Sequence, residues 1–213
     1  MEPNDTRTRI LDAAIEAYLE KGVNATTVRD ICARAKANVA AVNYHFGSKE
    51  ALHAAVLEHS MDLCHRRYPV EEGMEACATA QERLCLLIRN MLRLSFPDDP
   101  YLERLSQLFW LEVGNPSPEF VPVNERFTRP LVQVLEAIVA EIIGPRADTD
   151  TLRLSIAAVV GQCMFHSQNR RFIHMIYPDK TYAPRDVRDL ADHACRFALA
   201  GLAAVRASLE ATP

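Results

Sequence analysis

Apolar residues recur along this chain at intervals of three and four for most of its length, and Gly and Pro interrupt that rhythm at distinct points. A period of this kind places one apolar stripe on each helix. Ile10, Leu11, Ala14, Ile15 and Tyr18 predict a first helix, opening after the capping candidates Asp5 and Thr6 and ending near Lys21. Gly22 stands where a left-handed C′ residue would end it. Thr26–Thr27 open a second helix, with Asp30 as a weak capping-box partner and Val28, Ile31, Cys32 and Ala35 as its stripe. Lys36-Ala37-Asn38 reads as a turn, and Asn38 as the N-cap of a short third helix from about Val39 to Phe46. Gly47-Ser48 closes it, and a fourth helix runs from Lys49 to roughly Arg67.

The acidic stretch Val70 to Ala78 reads as a connection. Beyond it the period predicts helices from Thr79 to Ser95, Tyr101 to Val113, Glu119 to Ile143, Thr149 to Phe172 and Pro184 to Leu209. Pro130 falls inside the third of these and should kink or divide it, because it removes a backbone bond and clashes one turn back. No strand alternation or internal repeat is visible. The expected class is all-α with about nine helices: a compact N-terminal three-helix unit over residues 1–48 and a larger helical domain over 49–213.

Composition changes this picture little. With 213 residues, 49% apolar and 24% charged, the chain is ordinary globular material. A net charge of −4 is a mild point against a nucleic-acid partner, although the local field of one face decides that. No apolar run approaches the ~18 residues of a membrane span, and MEPNDTRTR lacks the apolar core of a signal peptide. A cytoplasmic location with no membrane partner is therefore expected. The six cysteines show no CxxC and are expected as free thiols, several of them buried. Cys32 is a redox-sensor candidate, but its inward helical position favours an inert thiol. Cys163 and His166 could face the same way, yet two ligands make an incomplete site, so no metal is expected. There is no GxSxG, HExxH or phosphate-cradling glycine loop, so neither an enzyme nor a cofactor is expected.

Thr26 to Leu52 carries the chemistry. As a helix-turn-helix it would lay its second helix in the major groove while flanking groups grip phosphates. Val42 and Phe46 face the core, which leaves Asn38, Val39, Ala40, Ala41, Asn43 and Tyr44 toward the groove. Asn43 can read adenine, and Val39 or Ala41 can meet a thymine methyl. Thr27, Arg29, Lys36, Tyr44, His45 and Lys49 are candidate phosphate donors. Residues 1–60 hold seven Lys/Arg against eight Asp/Glu, so any attraction to DNA must come from placement. The pattern alone also suits a helix pair in a plain all-α core.

The strings TTVRDI over 26–31 and NYHFGSKEAL over 43–52 resemble the signature of the tetracycline-repressor (TetR) family, and within it the branch whose recognition helix reads AAVNYHF. The resemblance covers about residues 6–55, with weaker echoes at Asn115-Pro116-Ser117-Pro118 and Gly161-Gln162. It implies a homodimeric all-α transcriptional repressor, bound to palindromic double-stranded operator DNA and released by a small-molecule effector in the larger domain. In such proteins the fourth helix acts as the lever between effector and reading head. Lys36 departs from the family, which usually has glycine in this turn. A side chain held at positive φ there costs about 1 kcal/mol, which a phosphate contact could offset.

In the larger domain Met91, Phe109, Trp110, Phe127 and Phe165 are candidate apolar walls for an effector, with Glu112, Gln162 and His166 as polar anchors. The aromatics serve equally well as ordinary core. Two helices share small residues at helical spacing, Ile156, Val160, Gly161 and Met164 on one, Leu190, Ala194, Phe197, Ala198, Gly201 and Val205 on the other. They could form a four-helix bundle across a two-fold axis, or pack within one protomer. A helical adaptor without a DNA role is the rival reading, and an activator on the same architecture is another.

Overall fold

The computed structural model describes residues 3–211, and the chain is helical throughout, with no strand among them. The N-terminal helices are α1 (Pro3–Lys21), α2 (Val28–Ala35), α3 (Val39–Phe46) and α4 (Lys49–Arg67). Helix α1 begins at Pro3, so Thr6 lies within it, and the side chain of Asp5 falls outside the described residues. The capping box at α2 is complete. Thr27 Oγ1 accepts from the Asp30 N–H at 3.1 Å, and Asp30 Oδ2 accepts from the Thr27 N–H at 2.9 Å. Asn38 caps α3 by accepting from the Ala41 N–H at 2.8 Å, and Ser48 caps α4 by accepting from the Ala51 N–H. Lys36 takes φ 49°, and among the described residues it is the one non-glycine at positive φ.

A 3-10 turn (Met74–Ala76) precedes α5 (Ala80–Ser95) and α6 (Pro100–Gly114). The stretch expected as one helix from Glu119 is divided before Pro130 is reached. A four-residue helix, α7 (Phe120–Val123), opens into a π-helical turn over Asn124–Thr128, and α8 (Arg129–Ile143) starts afresh. Pro130 sits in the first turn of α8, where its missing N–H would have no partner anyway. The next expected helix is also divided at Asn169, into α9 (Thr149–Gln168) and α10 (Arg170–Ile176). Helix α11 (Pro184–Ala211) completes the fold.

Contacts divide the chain into two compact units. Unit 1 comprises residues through Arg66 with Asp99–Phe127, and unit 2 comprises Arg67–Asp98 with residues from Thr128 onward. In unit 1, α1 is the centre of packing: α2, α3 and α6 all lie against it, and Ile10, Ala14, Ile15 and Tyr18 are fully buried. A second apolar cluster joins Leu57 and Met61 of α4 to Phe120 and Val123 of α7. Side chains of α6 reach α1 through Tyr101 to Asp12 (2.7 Å) and Arg104 to Glu16.

Unit 2 is built on one large apolar core in which α5, α8, α9 and α11 pack together, with Leu84, Leu87, Ile88, Leu92, Leu135 and Val139 at its centre. Cys85 and Cys195 were expected as free thiols. Instead they form a disulfide between α5 and α11, with Cα atoms 5.1 Å apart. Their 110-residue separation gives no local signal, and the pairing follows from how closely α5 and α11 pack. Cys32, Cys64, Cys77 and Cys163 are free.

Candidate nucleic-acid interface

The local sequence positions the α2–α3 pair with three polar devices. Thr26 is fully buried and donates from its hydroxyl to Gly22 O (2.7 Å) and Ala17 O (3.1 Å), tying the entry to α2 to the end of α1. Asp30 accepts from Thr27 and from Lys21 Nζ (2.9 Å), and these bonds hold its carboxyl far below the usual range, those from Thr27 counting first. The left-handed turn at Lys36 then redirects the chain into α3. Sequence reasoning saw the Thr27–Asp30 box but missed the Thr26 staple, whose only sign was the paired threonines.

Of the residues expected to face DNA, Thr27, Arg29, Lys36, Asn38, Val39, Ala40, Asn43 and Tyr44 are exposed, and Ala41, His45 and Lys49 are partly so. Val42 is fully buried beneath them. Tyr44 is 83% exposed, a large aromatic with only an edge contact to His45 at 5.0 Å. Phe46 is partly buried under the Arg7 guanidinium, 5.1 Å away. The Thr27 hydroxyl is already donated to Asp30 at 2.6 Å, so it offers an outside partner less than its exposure suggests. Burial raises the Cys32 thiol above its usual range, which keeps it protonated and unreactive.

The effector candidates are distributed between the units. Phe109, Trp110, Glu112 and Phe127 belong to unit 1, and Met91, Gln162, Phe165 and His166 to unit 2. Phe109 and Phe127 pack on the cluster around Phe120. Met91 packs against the unit 2 core, Phe165 is exposed, and His166 Nδ1 lies 3.2 Å from the Tyr182 hydroxyl. Glu112 is buried, and its Oε2 accepts from the Ser117 N–H (3.0 Å) and O–H (2.7 Å). Its Oε1 lies 3.1 Å from Nε2 of buried His53. Burial pushes His53 below the ordinary imidazole range despite the upward pull of Glu112 and Glu119. Sequence reasoning missed this pair, since His53 occupies a stripe position usually filled by an apolar side chain.

The small-residue helices split by face. Ile156, Ala194 and Ala198 lie in the core of their own protomer, and Val160, Leu190 and Val205 pack at its margin. Met164 is partly buried. Gly161, Phe197 and Gly201 are exposed, as is Leu154 two turns before Gly161.

Comparisons with known proteins agree with this architecture. Residues 10–56 match the family model described as "Bacterial regulatory proteins, tetR family", and residues 80–202 match "HTH-type transcriptional dual regulator CecR, C-terminal domain". The dual regulator CecR of Shigella flexneri is 30% identical over 167 residues, covering 74% of each chain. An HTH-type transcriptional repressor of Mycobacterium tuberculosis is 50% identical over 50 residues, covering 24% of this chain and 27% of that protein. Among solved structures, FadR from Bacillus subtilis in complex with stearoyl-CoA has a TM-score of 0.66 at 21% identity, covering 91% of this chain and 98% of that one. A tetR-family regulatory protein from Rhodococcus RHA1 has a TM-score of 0.65 at 23% identity, covering 92% and 96%. At these identities the structural likenesses speak for the fold. Two family models in chain order, above an exposed and properly capped helix pair, lead to one conclusion: the chain belongs to the TetR family and is a DNA-binding transcriptional regulator.

Proposed function

We propose that the chain is a homodimeric repressor that reads a palindromic operator with residues 1–48 and is released by a small molecule bound in the helical remainder. The observation that carries the reading is the α3 surface. Asn38, Val39, Ala40, Asn43 and Tyr44 stand exposed over a buried Val42, with Arg29 and Lys36 also exposed for phosphate contact and Ala41, His45 and Lys49 part-exposed beside them. The resemblance of α3 to the AAVNYHF branch supports giving this face to DNA. For the dimer, the support is the outward row Leu154, Gly161, Phe197 and Gly201, where Phe197 is 69% exposed and the glycines permit close helix approach. For the effector, the FadR neighbour with stearoyl-CoA is a precedent for a ligand within this fold. The name of the Shigella relative, a dual regulator, keeps activation open as a second mode.

The test is fluorescence anisotropy with DNA from upstream of the protein's own gene. Half-site centres about one helical turn, ~34 Å, or somewhat more apart are expected. Tyr44→Ala with Lys49→Ala should weaken binding by more than about tenfold, through lost phosphate contacts. Unchanged binding by the double variant refutes the assigned face. A strictly monomeric species in sedimentation refutes the dimer.

A further inference from the structure

Unit 1 holds a cavity of about 690 Å³ that shares only Lys49 with the DNA-reading surface. Its walls come from the α1–α2 turn (Lys21 to Ala25), the first turn of α4 (Lys49, Glu50, His53) and the stretch from Leu111 to Glu119. The volume falls in the range of small-molecule pockets, ~300–1,000 Å³.

The chemistry of this cavity is set by which atoms carry protons. Glu112 is surrounded by donors, with Ser117 donating twice to one oxygen and His53 Nε2 facing the other at 3.1 Å. The hydrogen of the imidazole therefore sits on Nε2. His53 is only 3% exposed, and burial favours its neutral form, so Nδ1 carries a lone pair. That lone pair faces Glu119 Oε2 at 3.9 Å, beyond hydrogen-bond reach. Two acceptors thus face each other in the cavity wall. A donor nitrogen with two N–H groups can lie ~2.9 Å from both at once, off the line that joins them. The charge of the lining points the same way. Lys21 is engaged by Asp30, which leaves Lys49 against the carboxylates of Glu50, Glu112 and Glu119.

We infer that this cavity binds a small organic ammonium ion, whose N–H groups bridge His53 Nδ1 and the Glu119 carboxylate while its hydrocarbon part lies against Val23, Leu111 and Pro116. An ammonium ion serves better than an alcohol because it supplies both donors and the charge that the carboxylates favour. Protons compete with it, since a protonated His53 presents its own Nδ1–H to Glu119. The groups facing His53 in this competition are Glu112 on α6, Glu119 before α7, Tyr18 on α1, and Lys49 on its own helix. The site shares Lys49 with the proposed phosphate contacts and Glu112 with the effector candidates, so binding is read on the full chain without DNA.

The probe is benzylammonium chloride, titrated into the full chain by calorimetry, with benzyl alcohol as the uncharged match. At about pH 7.5 the amine should bind with a Kd of about 1 mM or tighter and the alcohol should not. Glu119→Gln, a part-exposed position where the shape is kept, should weaken the amine by about tenfold, the loss of one charge-assisted bond. Lowering the pH through the range where the buried His53 takes up its proton, below the ordinary imidazole range, should weaken binding to the wild-type chain. Absence of amine binding to the wild type overturns the inference. Equal binding by Glu119→Gln, or equal binding of the alcohol, does so as well.

Discussion

The two units of this protein bury different kinds of side chain. Unit 2 encloses an apolar core, largely Leu, Ile, Val and Ala, and its buried polar residues, Asn90, Ser95, Ser155 and Ser167, are uncharged. Unit 1 has an equally well-buried apolar centre on α1 but also encloses His53 and Glu112, the buried acid–base pair among the described residues. An apolar core is robust and indifferent to its surroundings. A buried ionisable pair adds little net stability, because desolvation offsets most of the attraction, but it makes the packing sensitive to protons and to whatever lines the adjoining cavity. Unit 2 is therefore the part with an apolar interior, cross-linked by Cys85–Cys195, and unit 1 the part that encloses an ionisable pair.

The sharpest way to break this contrast is to damage each interior. Leu87→Ala in unit 2 should cost about 3–5 kcal/mol in urea unfolding, the usual price of an apolar cavity. His53→Leu should cost about 3 kcal/mol by leaving the Glu112 carboxylate short of a donor, and Glu112→Leu in the same chain should restore most of that loss. A double variant no better than the single one would show that the pair is not acting as a unit.

Acidity should test His53 next. His53 lies below its unfolded value because burial disfavours the imidazolium. Between the folded value and the unfolded one of about 6.5, the unfolded chain binds the extra proton, so stability rises with pH and is lost as pH falls through that window. His59, His65 and His166 are shifted the same way. Stability measured from about pH 7.5 down to about pH 5 should therefore decline. The decline should be shallower in His53→Gln and unchanged in Leu87→Ala. Identical slopes in all three chains would remove His53 from the account.

The smallest expected effect lies at Lys36. Its φ of 49° is strained for a side chain, so Lys36→Gly should raise stability by about 0.5–1 kcal/mol. If Lys36 touches a phosphate, the same change should flatten the dependence of DNA affinity on salt, by about one unit of slope. A steeper dependence would exclude that contact.

Legibility differed along the chain in a physically consistent way. The capped helices of residues 26–52 were readable because caps, turns and i, i+4 spacing act over a few residues and leave marks in the residue types themselves. Thr27–Asp30, Asn38 and Ser48 all perform the local task their chemistry suggests. The break before α8 falls at the π-turn over 124–128, one turn before Pro130, where the clash of the proline ring was expected. Asn169 ended α9 without a Gly or Pro to announce it.

The sequence by itself determined the all-α class, the order of the helices and the exposed row on α3, since each follows from short-range sterics and amphipathic spacing, while the left-handed turn at Lys36 was expected from the family resemblance. Only the tertiary structure decided that Cys85 meets Cys195 and that His53 faces Glu112 and Glu119. It also decided which members of the small-residue stripe point inward. Those facts join residues dozens of positions apart, and long-range packing sets such distances without leaving a periodic trace in the chain.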